Sequence, residues 1–289
     1  MNFLKKTIIG ILLASATLVF LLYLRQFSVI WLDVLMMLYT LPSIYEMDHA
    51  FRKCGYKTIR PVIIMATVLF YPMFLLLGFH GIVMTMILSF MTGAVIMTFN
   101  HNINYKDLAM TAFILIYPLF FYALFTEINH NTGGLFGVLS ILVIALFSDL
   151  FAQWIGMIVK GKKLCPSISP KKTRAGACGA YIGGLIGAGI LFLTFEYYQL
   201  FKTMPNVNFT GLTSSPLKSL PIYIGLALVG STVSQLGDLF ASWLKRQFDI
   251  KDYGTVLPGH GGVMDRTDSL LFTAPIFYLI FLFIPALAQ

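Results

Sequence analysis

The sequence predicts an all-α, polytopic integral membrane protein with about nine transmembrane helices. Hydrophobic residues make up 58% of the 289-residue chain, whereas charged residues make up only 11%. Apolar runs of about twenty residues, the length that spans a bilayer as a helix, recur from one end to the other. A water-soluble domain of this size could not cover so much apolar surface, so the soluble globular class is excluded.

The apolar runs are separated by charged, proline-, glycine- or asparagine-rich breaks, and each run is a predicted span. In chain order the predicted spans are 7–24, 28–45, 61–79, 82–99, 108–126, 135–159, 177–201, 220–241 and 269–287. Only residues 25–27 separate the first two, which predicts a tight hairpin or one interrupted hydrophobic unit. The first run follows Lys5 and Lys6 as a signal peptide would, but its hydrophobicity continues to Leu24, which favours an uncleaved span.

We expect a single membrane-embedded helical domain over residues 1–289, because no loop is long enough to form an independent soluble domain. Within it, residues 1–134 are N-terminal helices and residues 135–289 are the half that carries the charged motifs. The three cysteines share no CxxC spacing and lie far apart. They predict packing thiols rather than a zinc site or a disulfide framework.

The distribution of basic residues predicts the orientation. If the chain starts inside, 17 of its 20 lysines and arginines fall on the inner face, and only Arg25, Lys202 and Lys218 fall outside. This bias predicts an N-in, C-out topology. It also accounts for the net charge of +8 without a nucleic-acid partner.

The block 242–268, between the eighth and ninth predicted spans, concentrates charged residues and glycines on the predicted cytoplasmic face. Cations suit phosphate oxygens, carboxylates suit a hard divalent metal such as Mg²⁺, and glycines permit close backbone approach to a ligand. Phosphoryl or nucleotidyl transfer needs these ingredients together. An ordinary solvated loop that satisfies the positive-inside rule has a similar composition, so composition alone leaves both interpretations open.

The order and spacing of the block favour the first interpretation. It reads S-x-L-K-R-x₄-K-D-x-G-x₂-L-P-x-H-G-G-V-x-D-R-x-D, which resembles the signature of the phosphatidate cytidylyltransferase family. Residues 235–238 and the Ser-Pro-Lys-Lys-Thr run at 169–173 also resemble the family. The resemblance therefore covers roughly the C-terminal half of the chain.

The resemblance implies synthesis of CDP-diacylglycerol, in which the phosphate of phosphatidic acid attacks the α-phosphorus of CTP and pyrophosphate leaves. It further implies a multi-pass enzyme of the cell membrane whose active site faces the cytoplasm, a requirement for Mg²⁺, and a homodimer. Close alternatives keep CTP but use another lipid phosphate, or phosphorylate a lipid alcohol. From a different class, a transporter or a non-catalytic membrane scaffold would also place carboxylates in the membrane.

Three aspartates, Asp238, Asp265 and Asp268, are the predicted metal ligands. Asp238 lies near the end of an apolar span, where a carboxylate is costly unless a metal, a partner or water receives it. Asp268 follows Asp265 at i+3 and shares its face if this segment opens the last helix. The alternatives are a helix-end residue that faces water for Asp238, and a charge that complements the helix dipole for Asp268.

The remaining candidates are cations and loop residues around these aspartates. The predicted catalytic residues are Asp265, Asp238, Lys245, Arg266 and His260. The predicted substrate-binding residues are Lys171, Lys172, Ser169, Arg246, Lys251, Asp252, Gly261, Gly262 and Asp149. The cations suit the triphosphate of CTP and the lipid phosphate, although each one taken singly also satisfies the positive-inside rule. His260 can bond a phosphate or relay a proton, or it can serve turn geometry only.

Asp149 lies well inside an apolar stretch, which makes it a functional candidate by default. Here the chain departs from the family, because the threonine and tyrosine that usually follow this aspartate are absent from 150–153. After the Ser-Pro-Lys-Lys-Thr run the family continues Trp-Glu-Gly, whereas this chain has Arg-Ala-Gly at 174–176. Polar residues at 231–235 can line the same cavity or form interhelical hydrogen bonds.

Overall fold

Helices account for nearly all the regular structure in the computed structural model, which describes residues 15, 22–202, 209, 211–254 and 261–284. The helices are α1 (Ile30–Lys53), α2 (Arg60–Leu77), α3 (Phe79–Phe99), α4 (Tyr105–Ile114), α5 (Phe121–His130), α6 (Gly134–Val159), α7 (Arg174–Leu191), α8 (Pro216–Gln247) and α9 (Met264–Leu282). Phe192–Tyr197 is a π-helical turn after α7, and Leu115–Phe120, between α4 and α5, is interrupted by a kink. The all-α prediction is confirmed, with one small antiparallel hairpin of β1 (Lys163–Cys165) and β2 (Ser169–Thr173).

Among the described residues, six helical stretches are long and apolar enough to cross a membrane. They are Arg60–Leu77, Phe79–Phe99, Tyr105–His130, Gly134–Val159, Arg174–Tyr197 and Pro216–Gln247. These stretches coincide with the third to eighth predicted spans. Helices α1 and α9 occupy most of the second and ninth predicted spans, and the first, 7–24, lies mostly outside the described residues.

Large apolar side chains are exposed along these helices. On α2, Leu75, Leu76 and Leu77 all lie at the surface, and Ile158 at the end of α6 does the same. A soluble protein buries most such side chains, whereas a membrane protein presents them to lipid tails. The exposed apolar surface therefore agrees with the membrane class that the composition predicts.

The chain divides into two compact units. The first unit comprises Met1–Leu35, Ile128–Leu244 and Asp268–Gln289, and the second comprises Met36–Glu127 and Lys245–Thr267. Each unit combines segments from the N-terminal and C-terminal parts of the chain. Residues that are far apart in the sequence therefore meet within each unit.

Glycines bring α6 and α7 close together in the first unit. A Cβ at Gly176 would lie 2.6 Å from the carbonyl oxygen of Ala152, and one at Gly179 would lie 2.9 Å from that of Phe151. Such spacing of small residues lets two membrane helices approach through their backbones. Helix α7 begins directly after β2, where the Thr173 hydroxyl accepts a hydrogen bond from the Gly176 amide at 3.1 Å and caps the helix.

Aromatic packing and capped helix starts organise the second unit. Phe51 on α1 contacts the ring of Phe248, in the block, at a centroid distance of 4.9 Å. Asn104 and Asp107 form a reciprocal capping box at the start of α4. The backbone leaves helical geometry at Tyr117, immediately before Pro118, so α4 and α5 are separated by a kink.

Candidate functional site

Lys172 and Asp238 form an ion pair in the first unit. The Lys172 Nζ lies 2.6 Å from Asp238 Oδ2, and the two side chains remain 24% and 34% exposed. The Ser242 hydroxyl, one turn later on α8, lies 3.3 Å from Asp238 Oδ1. Strand β2 presents the lysine and α8 presents the carboxylate, so the hairpin brings the Ser-Pro-Lys-Lys-Thr run to the predicted metal ligand.

Asp149 belongs to the same polar group. It lies on α6, and its two oxygens accept hydrogen bonds from Ser234 at 3.3 Å and from Ser269 at 2.8 Å. Its carboxylate also interacts electrostatically with Asp238 and Lys172. Asp149, Lys172 and Asp238 therefore lie together in this unit, and their role in the site stays a prediction.

The polar residues at 231–235 divide between the two alternatives that the sequence left open. Ser231 hydrogen-bonds Ser148 on α6 and the carbonyl of Ala180 on α7. The Thr232 hydroxyl lies 3.0 Å from that of Tyr181. These two residues join helices, whereas Ser234 contacts Asp149 and so lies in the polar group.

Asp265 and Lys245 form the corresponding ion pair in the second unit. The Lys245 Nζ lies 2.7 Å from Asp265 Oδ1, and the side chains are only 12% and 7% exposed. Asp265 Oδ2 accepts two backbone hydrogen bonds, from Tyr253 at 2.9 Å and from Gly262 at 3.1 Å. The Asp265 carboxylate at the start of α9 thus contacts both the end of α8, through Lys245, and the loop between the two helices, through Tyr253 and Gly262.

The glycines of the block serve its backbone. Gly261 has a φ of +85°, in the left-handed region that favours glycine. A Cβ at Gly254 or Gly262 would overlap the carboxylate of Glu46 on α1. The predicted substrate-binding role of Gly261 and Gly262 stays a prediction, because their positions are explained by backbone conformation and by packing.

The other predicted site residues are placed as follows. Five of them are exposed and therefore accessible to a ligand in water. They are Lys171, Arg246, Lys251, Asp252 and Arg266. Ser169 is half-buried at the start of β2. Asp268 is 7% exposed and accepts a hydrogen bond from the Ser269 amide at 2.8 Å. His260 lies outside the described residues.

Among the described residues, no three His, Cys, Asp or Glu side chains cluster closely enough to hold a metal ion by themselves. Mg²⁺ is commonly held by one or two carboxylates together with substrate phosphates and water, so a protein cage of three carboxylates is not required. The Asp238 carboxylate is partly exposed, and the Ser242 hydroxyl lies beside one of its oxygens, so both can supply oxygen ligands to a metal ion. These hard oxygen ligands fit Mg²⁺ in chemical type.

Sequence reasoning missed Glu46, Tyr253 and Ser269, each of which contacts the site residues or the backbone that carries them. A signal existed for Glu46, because an acidic residue directly after the apolar run 28–45 is costly unless it has partners. No such signal exists for a backbone amide or for one serine among many.

The chain matches the model of the Cytidylyltransferase family over residues 5–284. It is 32% identical to phosphatidate cytidylyltransferase of Thermotoga maritima over 177 residues, which cover 61% of this chain and 60% of the relative. It is 35% identical to the Staphylococcus aureus enzyme of the same name over 173 residues, which cover 60% of this chain and 57% of the relative.

A longer alignment joins the chain to phosphatidate cytidylyltransferase of Rickettsia felis. The two are 30% identical over 220 residues, which cover 76% of this chain and 86% of the relative. The chain therefore spans most of one relative and somewhat under two thirds of the other two.

Proposed function

Because the chain belongs to the cytidylyltransferase family, as the block 242–268 predicts, we propose that it transfers CMP from CTP to phosphatidic acid. The products are CDP-diacylglycerol and pyrophosphate. The three relatives described above carry the name of this activity. The long apolar helices make the chain a multi-pass membrane protein, which suits a substrate that resides in the bilayer.

The observation that carries this proposal is the arrangement of Lys245 and Asp265. The pair is almost fully buried, and the carboxylate is fixed by two amides of the block. A loop that only satisfied the positive-inside rule would leave its charges in water, because burial of charges costs free energy. The arrangement instead supports a preorganised site for anionic groups.

The reaction joins two anions, so charge neutralisation matters more than a nucleophile on the protein. A phosphate oxygen of phosphatidic acid forms a bond to the α-phosphorus of CTP. The bond from that phosphorus to the oxygen bridging the α- and β-phosphates breaks, and pyrophosphate leaves with the electron pair. Lys172 and Lys245 are the cations best held for phosphate contact, since each has a carboxylate that orients its ammonium group.

The exposed cations of the block are further candidates for phosphate contact. Arg246, Lys251 and Arg266 are positioned at the surface of the second unit, where they can contact the triphosphate of CTP. His260 and Asp252, in the same block, stay candidates for phosphate contact.

Asp238, Asp265 and Asp268 are each candidate ligands for Mg²⁺. When bound, the ion would neutralise charge on the phosphates of CTP and on the leaving pyrophosphate. Asp238 is the best placed of the three, because its side chain is the most exposed and has a hydroxyl beside it.

We test the proposal with purified protein in detergent micelles, CTP labelled at the α-phosphate, Mg²⁺ and several lipid acceptors in parallel. We expect label in a CDP-lipid only when phosphatidic acid is present, with one pyrophosphate released per lipid, and loss of turnover when EDTA removes the metal. A lipid phosphate formed together with CDP would instead establish a kinase. Absence of turnover with every acceptor, from a folded preparation, would favour a transporter or scaffold.

A further inference from the structure

Glu46 is a buried carboxylate that contacts the block from a distant part of the sequence. It lies on α1 and is 1% exposed. Its Oε1 accepts a hydrogen bond from the Val263 amide at 3.1 Å, and its Oε2 accepts one from the Met264 amide at 3.0 Å. Met264 is the first residue of α9, so Glu46 satisfies amides at a helix start that otherwise have no partner within the helix.

The block is shaped to receive this carboxylate. A Cβ at Gly254 would overlap Glu46 Oε1, and a Cβ at Gly262 would overlap Oε2. Neither glycine needs the left-handed conformation, since Gly261 is the only described glycine of the block that has a positive φ. Two glycines of the signature therefore make room for a protein side chain.

Glu46 and Asp265 divide four backbone amides between them. Asp265 accepts from Tyr253 and Gly262, and Glu46 accepts from the next two amides, Val263 and Met264. Three of these amides, from Gly262 to Met264, are consecutive, so loss of one hydrogen bond affects the backbone that carries the other two. Glu46 therefore binds the stretch of backbone that leads directly into Asp265.

A second contact from α1 acts on the same turn. Ser43, one turn before Glu46, hydrogen-bonds the Tyr122 hydroxyl at 3.0 Å, and that hydroxyl lies 2.6 Å from the hydroxyl of Thr267. Tyr122 and Thr267 are both buried. Helix α1 thus holds the first turn of α9 at two points, through Glu46 and through Ser43.

We propose that Glu46 is a positioning residue, which fixes the junction between the block and α9 so that Asp265 meets Lys245 in the geometry the reaction uses. The expected effect of Glu46 on turnover rests on the proposed function, whereas its expected effect on the backbone does not. It assigns a task in the site to α1, a helix outside the half of the chain that carries the family motifs.

The test replaces Glu46 by glutamine, which keeps the shape but turns one acceptor oxygen into an NH₂ group that faces a backbone donor. In Glu46→Gln we expect amide hydrogen exchange in peptides covering 261–268 to accelerate about tenfold, the effect of one lost hydrogen bond. We also expect kcat for CDP-lipid formation to fall at least about tenfold, while KM for CTP changes less than about threefold, because misplaced groups lower the rate of the chemical step.

Glu196→Gln is the matched control, since Glu196 is also buried and accepts a backbone hydrogen bond, from Leu212 at 2.7 Å. We expect it to leave kcat and the exchange of 261–268 unchanged. Wild-type exchange and kcat in Glu46→Gln would overturn the proposal, as would equal losses in both variants. If the wild-type protein makes no CDP-lipid, the proposed function fails, and the exchange measurement still decides whether Glu46 fixes the block.

Discussion

At the scale of single residues, the candidate chemistry consists of two lysine–aspartate pairs. Lys172 pairs with Asp238 in the first unit and Lys245 pairs with Asp265 in the second. A lysine ammonium on a flexible stem has many conformations in water, so a fixed carboxylate reduces the entropy lost when the ammonium meets a phosphate. The second pair is much more deeply buried than the first.

Replacement of Asp265 by asparagine should abolish most activity. The change removes the charge opposite Lys245 and weakens the two amide contacts, so a buried cation loses its partner. We expect CDP-lipid formation to fall at least about 100-fold, the scale for loss of one preorganised electrostatic group. The initial rate with CTP and phosphatidic acid measures it.

Asp249→Asn is the control for that substitution, since Asp249 lies in the same block but is exposed. Its φ of +52° suits asparagine as well as aspartate. We expect wild-type turnover from this variant. Wild-type turnover from Asp265→Asn, with the protein still folded in the membrane, would remove Asp265 from the site.

The sequence could single out individual site residues but not their partners. Asp238, Asp265 and Lys245 were predicted because the signature resembles a family pattern and because carboxylates are costly near apolar spans. The pairing of Lys172 with Asp238 joins a hairpin to a helix that follows it only after α7 and a loop. Contacts of this kind depend on tertiary geometry, which residue types alone do not specify.

At the scale of elements, α7 shows how a helix is fitted to its neighbour. Four glycines recur on the face toward α6, at positions 176, 179, 183 and 187, and a Cβ at Gly183 would overlap the backbone of Phe147. In lipid, where apolar burial does not drive helices together, such close approach supplies the packing. The contact joins α6, which carries Asp149, to α7, which directly follows the strand β2 that carries Lys172.

Replacement of Gly183 by alanine should force α6 and α7 apart. We expect a loss of about 1–3 kcal/mol, the usual cost of overpacking, and a lower midpoint of thermal unfolding in detergent. Gly189→Ala, on the same helix, adds the same methyl group where nothing lies within 4 Å. That variant should keep or raise the midpoint, because alanine loses less backbone entropy than glycine. Equal midpoints for the two variants would contradict the packing argument.

The hairpin before α7 is the element that periodicity did not predict. Strands of three and five residues are too short to show alternation, and the segment lies in a basic loop that predicts only its side of the membrane. Its effect is local, because β2 ends at Thr173, which caps α7, and so fixes Lys172 next to a defined helix start.

At the scale of the whole molecule, the chain is a multi-pass helical membrane protein with apolar side chains exposed along its helices. The positive-inside rule predicts that the hairpin and the block 242–268 both face the cytoplasm, where CTP is available. The native cysteines offer a direct test, because Cys54 is exposed and Cys165 is half-exposed in β1, and both lie in predicted inner loops.

Labelling with a membrane-impermeant maleimide should establish this orientation. In variants that retain only Cys54 or only Cys165, we expect labelling after permeabilisation of the cells and none before. Lys218→Cys in a cysteine-free chain is the opposite control, since Lys218 is exposed and lies in a predicted outer loop, and it should be labelled in intact cells. Labelling of Cys165 in intact cells would overturn the predicted N-in, C-out topology.

The sequence by itself determined the membrane class, the positions of the six long apolar helices found among the described residues, and the family, because these depend on composition, run length and the spacing of a local motif. The tertiary structure decided which charged groups meet. It paired Lys172 with Asp238, placed Asp149 between two serines, and set Glu46 under the glycines of the block. The physical reason is that a hydrogen bond or ion pair acts over about 3 Å, and only the packing of distant segments brings their side chains within that range.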